Sequence, residues 1–309
     1  MLEELELEES RFAELTHIEE QYNSLQLVNQ LDDKVDIEAL TEHLRQLEGI
    51  DRVKSLTINW NSSLSNLRVL RAFTNLEYLS IYGHQIKSLD GVELFSKGEF
   101  IRIHTHKNRR RDLSQLSQAE VKRMLLHVER TEDFSAVAGC KELQTIDIYH
   151  SSIEPNLLEW KDVPLESIYF KSCKFKELGN TAATERLIEI NVLGCRNLER
   201  FTGDNSIIKR MIVDSCKKLD LSTLRMFENL EWLTVNSCTQ AMNLTEIGGL
   251  QHAKHISFIL SNVEVDLINL KEYFPTIESL HVSGMNKEYG VQLKQLNLDV
   301  TITSDSFEL

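Results

Sequence analysis

Three groups of residues are spaced as if for chemistry. Cys173, Cys195, Cys216 and Cys238 recur at a near-constant interval. Four cysteines can cage a zinc ion or work as redox pairs. His104 and His106 alternate as two metal ligands on one face of a strand would. Lys107 and the run Arg109-Arg110-Arg111 form a short cationic segment of the kind that holds phosphate or RNA. Paired carboxylates crowd the N-terminus at Glu3/Glu4, Glu8/Glu9 and Glu19/Glu20, and paired carboxylates can act as general acid and base.

The elements that position these residues decide between the options. Each cysteine closes one recurring phrase, Leu165-x-x-Ile168-x-Phe170-x-x-Cys173 and then Leu187-x-x-Ile190-x-Val192-x-x-Cys195. A fixed period of this length signals stacked repeats. On parallel strands about 4.8 Å apart, Cys173 and Cys238 stand about 14 Å apart. Thiolates on one zinc must each lie about 2.3 Å from it, so a linear ladder cannot converge. Neighbouring pairs fall within disulfide reach, but in-register side chains point the same way. Five cysteines, an odd number, suit a reducing compartment. They read as small buried hydrophobes at the turn after each strand, and Cys140, just before Leu143, as core. The histidine pair lacks a third ligand at suitable spacing, and the arginine run reads as a solvated loop of an acidic protein. No phosphate-binding Gly-Lys loop, serine nucleophile elbow, His-Glu-x-x-His or Cys-x-x-Cys motif occurs. The expectation is a protein with no cofactor, no metal and no catalytic activity.

The repeat extends well beyond the cysteines. Two apolar residues one apart recur at Leu56/Ile58, Leu79/Ile81, Ile101/Ile103, Leu126/Val128, Ile146/Ile148 and Ile168/Phe170. They continue at Ile190/Val192, Met211/Val213, Leu233/Val235, Ile256/Phe258, Leu280/Val282 and Leu296/Leu298. Alternation within each pair predicts a short strand with both apolar side chains inward. The segments Leu76-Glu-Tyr-Leu79-Ser-Ile81-Tyr-Gly-His84-Gln-Ile86 and Leu187 to Leu198 make the pattern resemble the leucine-rich-repeat family. That resemblance covers residues 50 to 300 and implies 11 to 12 repeats. It implies an α/β solenoid, a curved horseshoe with a parallel sheet on its concave face and short helices or irregular turns on its convex face. The sequence departs from the pattern at residues 104 to 130, where Ser117 to Leu126 reads as helix-like.

Residues 1–50 are expected to form an acidic N-terminal cap, residues 51–298 the solenoid, and residues 299–309 a closing segment. Within the cap, Val35 to Leu47 reads as an amphipathic helix capped by Asp36. The net charge is −14, and residues 1–50 hold 14 acidic and 3 basic side chains, a net of −11. Such a field repels nucleic-acid phosphates and attracts a basic protein. No basic segment followed by an apolar run opens the chain, and no stretch approaches the roughly 18 apolar residues of a membrane span. A cytoplasmic protein, monomeric without its partner, is expected.

Residues flanking the inward pairs point to the open face of the sheet. A central column runs through Thr57, Ser80, Arg102, His127, Asp147, Tyr169, Asn191, Ile212, Thr234, Ser257, His281 and Asn297. A second column carries Tyr82, His104, Glu129, Tyr149, Lys171, Asp214, Asn236 and Asp299, and a third carries Tyr78, Phe100, Arg210, Trp232 and His255. Tyr, Trp and Arg dominate protein interfaces, and aromatics on a solvated parallel sheet invite an occupant. The candidate partner-binding residues are therefore Tyr78, Tyr82, Arg102, His104, His127, Tyr149, Tyr169, Lys171, Arg210, Asp214, Trp232, Asn236, His255 and His281. Three uses suit such a face: an inhibitor, an immunity protein neutralising a basic toxin or effector, or the substrate-recognition adaptor of a ligase or phosphatase complex.

Overall fold

Period-two alternation of aliphatics is realised as strands throughout the chain. The computed structural model describes residues 3–31, 35–104, 112–127, 134–238, 242–260, 263–264, 269–283, 300–304 and 307–308. Two compact units are present, residues 1–151 with 162–164, and residues 152–161 with 165–309.

In the first unit a ladder runs through β1 (Glu3–Glu8), β2 (Tyr22–Val28), β3 (Ser55–Ile58), β4 (Tyr78–Ile81), β5 (Gly98–His104), β6 (Val121–His127) and β7 (Thr145–Tyr149). Every neighbouring pair is parallel. Leu25, Leu56, Leu79, Ile101, Met124 and Ile146 lie opposite one another in turn. All are buried, as are the aliphatics two residues later. Helix α1 (Ile37–Gln46) follows β2. The Asp36 carboxylate accepts from the backbone N–H of Glu38 and Ala39, satisfying donors that have no partner within a first helical turn. Its Leu40 and Leu44 lie in the core.

The second unit repeats the plan in β8 (Ser167–Lys171), β10 (Glu189–Leu193), β12 (Arg210–Asp214), β13 (Trp232–Asn236), β15 (His255–Ile259), β17 (Ser279–Val282) and β18 (Thr301–Ser304). These are parallel in that order, and β19 (Phe307–Glu308) adds antiparallel to β18. The pairs β9 (Glu177–Gly179) with β11 (Arg200–Thr202), and β14 (Met242–Asn243) with β16 (Val263–Glu264), lie on the return segments. Elsewhere the return path is mostly 3-10 turns such as Leu221–Met226, with one short helix, α2 (Leu270–Tyr273). Phe201 and Phe227 fill the space behind the strands, edge to face at 4.9 Å.

The cysteines follow the strands. The residue before each one has left-handed backbone: Ser172, Gly194, Ser215 and Ser237, with φ of 54°, 65°, 54° and 52°. That twist lets each N–H donate to the next rung, Ser172 to Leu193 O at 2.7 Å and Ser215 to Asn236 O at 2.9 Å. It also turns the following side chain into the core, where all four cysteines are buried and unbridged.

Two sequence expectations change. The fourth rung is Met124/Leu126, not Leu126/Val128, because Ile101 lies opposite Met124 and Ile103 opposite Leu126. With Met124 as its first member, the fourth rung falls almost midway between Ile101 and Ile146, whereas Leu126 would stand nearer Ile146. The segment Ser117 to Leu126 is no helix. A 3-10 turn covers Ser114–Gln118, and strand β6 takes over from Val121, since pairing on both sides outweighs local helical spacing. Beyond β17, strand β18 places Ile302 opposite Leu280. Val128, Glu129, Leu296, Asn297, Leu298 and Asp299 lie outside the described residues, as do His106, Lys107 and Arg109 to Arg111.

Candidate functional site

Each strand buries alternate side chains, so its remaining positions form columns on the opposite, outward face. In the first unit Tyr78, Phe100, Arg123 and Thr145 share one column. Thr57, Ser80, Arg102, Leu125 and Asp147 share the next, and His104, His127 and Tyr149 the third. His127 therefore belongs beside His104 and Tyr149, not in the central column expected for it. The cause is the displaced register of the fourth rung. Leu125 holds the central place.

These side chains touch across rungs. The Arg102 guanidinium donates from Nη1 to the Tyr82 hydroxyl at 2.7 Å and lies 5.6 Å from the centre of the Phe100 ring. Arg123, opposite Phe100, lies 5.9 Å from the same ring. The His104 and His127 rings are 3.9 Å apart, with Tyr82 5.9 Å from His104 and Tyr149 6.3 Å from His127. His150 joins them at 4.7 Å from His127. Burial pushes the Asp147 carboxyl above its ordinary range, while Arg123 and Arg102 pull it back. The Tyr149 phenol is raised as well, first by burial and then by Asp147. Sequence reasoning missed Arg123 as an outward residue; the even spacing of rungs through Met124 is the signal that places it.

On the second unit, Tyr169 on β8 donates to Glu189 on β10 at 2.8 Å, and Asn191 donates to the same oxygen at 2.7 Å. Asn191 is only 1 % exposed, and its Oδ1 accepts from no donor among the described residues. Lys171, Leu193, Asp214 and Asn236 follow in one column. Arg210, Trp232, His255 and Ser279 follow in another. Trp232 is 52 % exposed, with its ring 3.9 Å from that of His255. His255 bonds Ser279 through Nδ1 at 2.7 Å, and His281 bonds Thr303 at 2.8 Å. Ile212 adds exposed apolar surface beside Thr234.

Other surfaces of the chain look structural. At the start of the strands, Lys54 meets Glu77 at 2.7 Å, Lys122 meets Glu99 at 2.6 Å and Lys254 meets Glu231 at 3.0 Å. Exposed pairs of this kind contribute about 0–1 kcal/mol each. An open groove of about 580 Å³ runs along that edge past Lys97, Glu99, Lys122 and Glu142, away from the outward face. Burial pushes the Cys140 thiol up to about 12 and raises Cys216 and Cys238 too, which disfavours the reactive thiolate at these three positions. Among the described residues no group of three or more His, Cys, Asp or Glu side chains is arranged to hold a metal ion. No helix there is long and apolar enough to cross a membrane.

Stacked parallel rungs at one near-constant period, 3-10 returns and a buried cysteine after the strand decide the architecture. The chain has the leucine-rich-repeat fold. Its structure is similar to that of an internalin from Listeria monocytogenes, with a TM-score of 0.53 at 13% identity over 91% of this chain and 78% of that one. A leucine-rich-repeat protein of Leptospira interrogans aligns at a TM-score of 0.36 and 13% identity, covering 97% of this chain and 95% of the other. A functional domain of InlJ from Listeria monocytogenes, which includes a cysteine ladder, aligns at 0.40 and 13% over 87% and 66%. Comparison with protein-family models and with curated protein sequences gave no match. Within each unit, the outward columns lie on a strand face.

Proposed function

We propose that this chain is a non-catalytic recognition scaffold that holds a partner protein against the outward faces of its strands. The observation that carries the reading is the concentration of Tyr, Trp, His and Arg in the outward columns. Trp232 is half exposed and braced against His255. Half-exposed aromatics held rigid by neighbours lose little entropy on binding and give up water readily. The carboxylates of Glu4, Glu6 and Glu8 alternate along β1 with Leu5 and Leu7, which favours a partner carrying a basic region. An inhibitor or immunity protein acting on a basic toxin or effector inside the cell fits that charge best.

Affinity capture from cell extract followed by mass spectrometry identifies the partner, and the variants Tyr149→Ala and Trp232→Ala locate its footprint. Loss of capture in these variants supports the reading. Retained capture, with loss on changes to the return-side turns, places the working surface elsewhere. The alternative, a substrate-recognition adaptor within a ligase or phosphatase complex, would leave catalysis to another chain. Under native conditions all five buried thiols should react with iodoacetamide only on unfolding. One fast-reacting thiol would instead return a nucleophile to this chain.

A further inference from the structure

We propose that Arg102 and Arg123, which both lie near the Phe100 ring in the first unit, receive a carboxylate-bearing side chain of the partner protein. This rests on the outward face being the binding face, and it adds the chemistry of one contact. Both guanidinium groups lie near one ring, at 5.6 and 5.9 Å from its centre, on the outward face of β5 and β6. Like charges on one face repel, and a carboxylate beside them offsets that repulsion. Elsewhere in the same unit Lys54, Arg68, Arg71 and Lys122 each meet one. Arg102 and Arg123 form no ion pair among the described residues. Arg102 is further committed: Nη1 is engaged by Tyr82, and Nε is shut away from water with no acceptor among the described residues. Its charge is therefore partly desolvated and unpaired, a condition that an incoming anion relieves.

Asp147, in the same column as Arg102, senses both arginines but pairs with neither, and burial disfavours its ionised form. It competes with an incoming carboxylate for the same two cations. A short carboxylate-bearing segment fits better than a nucleic-acid backbone, because a backbone crossing the rungs would meet Asp147, and then Glu6 on β1. A partner that is basic where it meets β1 and acidic where it meets β5 and β6 would dock in only one orientation.

The probe is a fluorescein-labelled hexaglutamate peptide, followed by anisotropy at low salt. Saturable binding that weakens with salt is expected. The variant R102Q/R123Q should weaken it at least about tenfold, D147N should tighten it about threefold, and K209Q should leave it unchanged, as follows from a contact governed by local charge. D147N keeps the proposal testable if the double variant folds poorly. Absence of saturable binding to the unaltered chain, equal binding by R102Q/R123Q, or weaker binding by D147N would overturn it. So would tighter binding of hexathymidylate than of hexaglutamate, which would reassign the site to nucleic-acid phosphate. None of these outcomes bears on Tyr149 and Trp232, so the broader recognition reading is judged separately by partner capture.

Discussion

At the scale of single residues, the same left-handed position before each cysteine is filled by Gly194 in one rung and by serine in three. A side chain there crowds the following carbonyl, at about 1–2 kcal/mol, whereas glycine does not. Gly194→Ala is expected to lower unfolding stability by about 1 kcal/mol, and Ser215→Gly to raise it by up to about 1 kcal/mol, read by chemical denaturation. Space is no obstacle in the first case, since a Cβ at position 194 would meet nothing nearer than Ser172 Oγ at 3.5 Å. Asp147 makes a prediction of different kind. Its carboxyl is raised above the unfolded value, so the folded state binds the proton more tightly and stability falls as pH climbs through the carboxylate range. Asp147→Asn should therefore raise the melting temperature at neutral pH, with the gain vanishing as pH drops below the ordinary aspartate value. An equal gain at both ends of that range would refute the burial argument.

At the scale of elements, the strand pairs could be read directly from the sequence because inward aliphatics repeat at a nearly constant interval. The fourth rung was the exception. Leu126 satisfies either register, and only the pairing of His104 with His127 and of Arg102 with Leu125 resolves it. That slip hid Arg123, and with it the pair of arginines near Phe100. Side-chain contacts such as those of the His104, His127 and His150 rings also lie beyond sequence reasoning, because they depend on rotamers and on the turn after β7. The N-terminal carboxylates divide in a way that charge counting misses. Glu4 is exposed on β1, but Glu9 is fully buried and accepts from Ser63 N at 2.8 Å and from the hydroxyls of Ser62 and Ser63. It ties the first turn of the chain to the segment after β3. Glu9→Ala should cost about 3 kcal/mol of stability through the abandoned donors, an effect measurable by thermal or urea unfolding.

For the whole molecule, charge is unevenly shared: residues 1–50 carry −11 of the total −14. If the partner is basic, this asymmetry acts before contact, on association rate more than on residence time. Replacing Glu4, Glu6 and Glu8 together by Gln should slow association and flatten its dependence on ionic strength while dissociation stays nearly constant, as surface plasmon resonance would report. A changed dissociation rate at constant association rate would mean that these carboxylates touch the partner. The rung-by-rung pairing has a consequence of another sort, for how the chain reaches this structure. Within each ladder parallel partners are close in sequence, as Leu5 is to Leu25, Ile190 to Met211 and Leu233 to Ile256. Set against the chain length, such separations give a relative contact order of about 0.07, in the range of helical bundles rather than sandwiches and barrels. A sheet assembled this way need not wait for distant segments to meet. Each new stretch emerging from the ribosome can close against the one just before it, so folding can begin before synthesis ends.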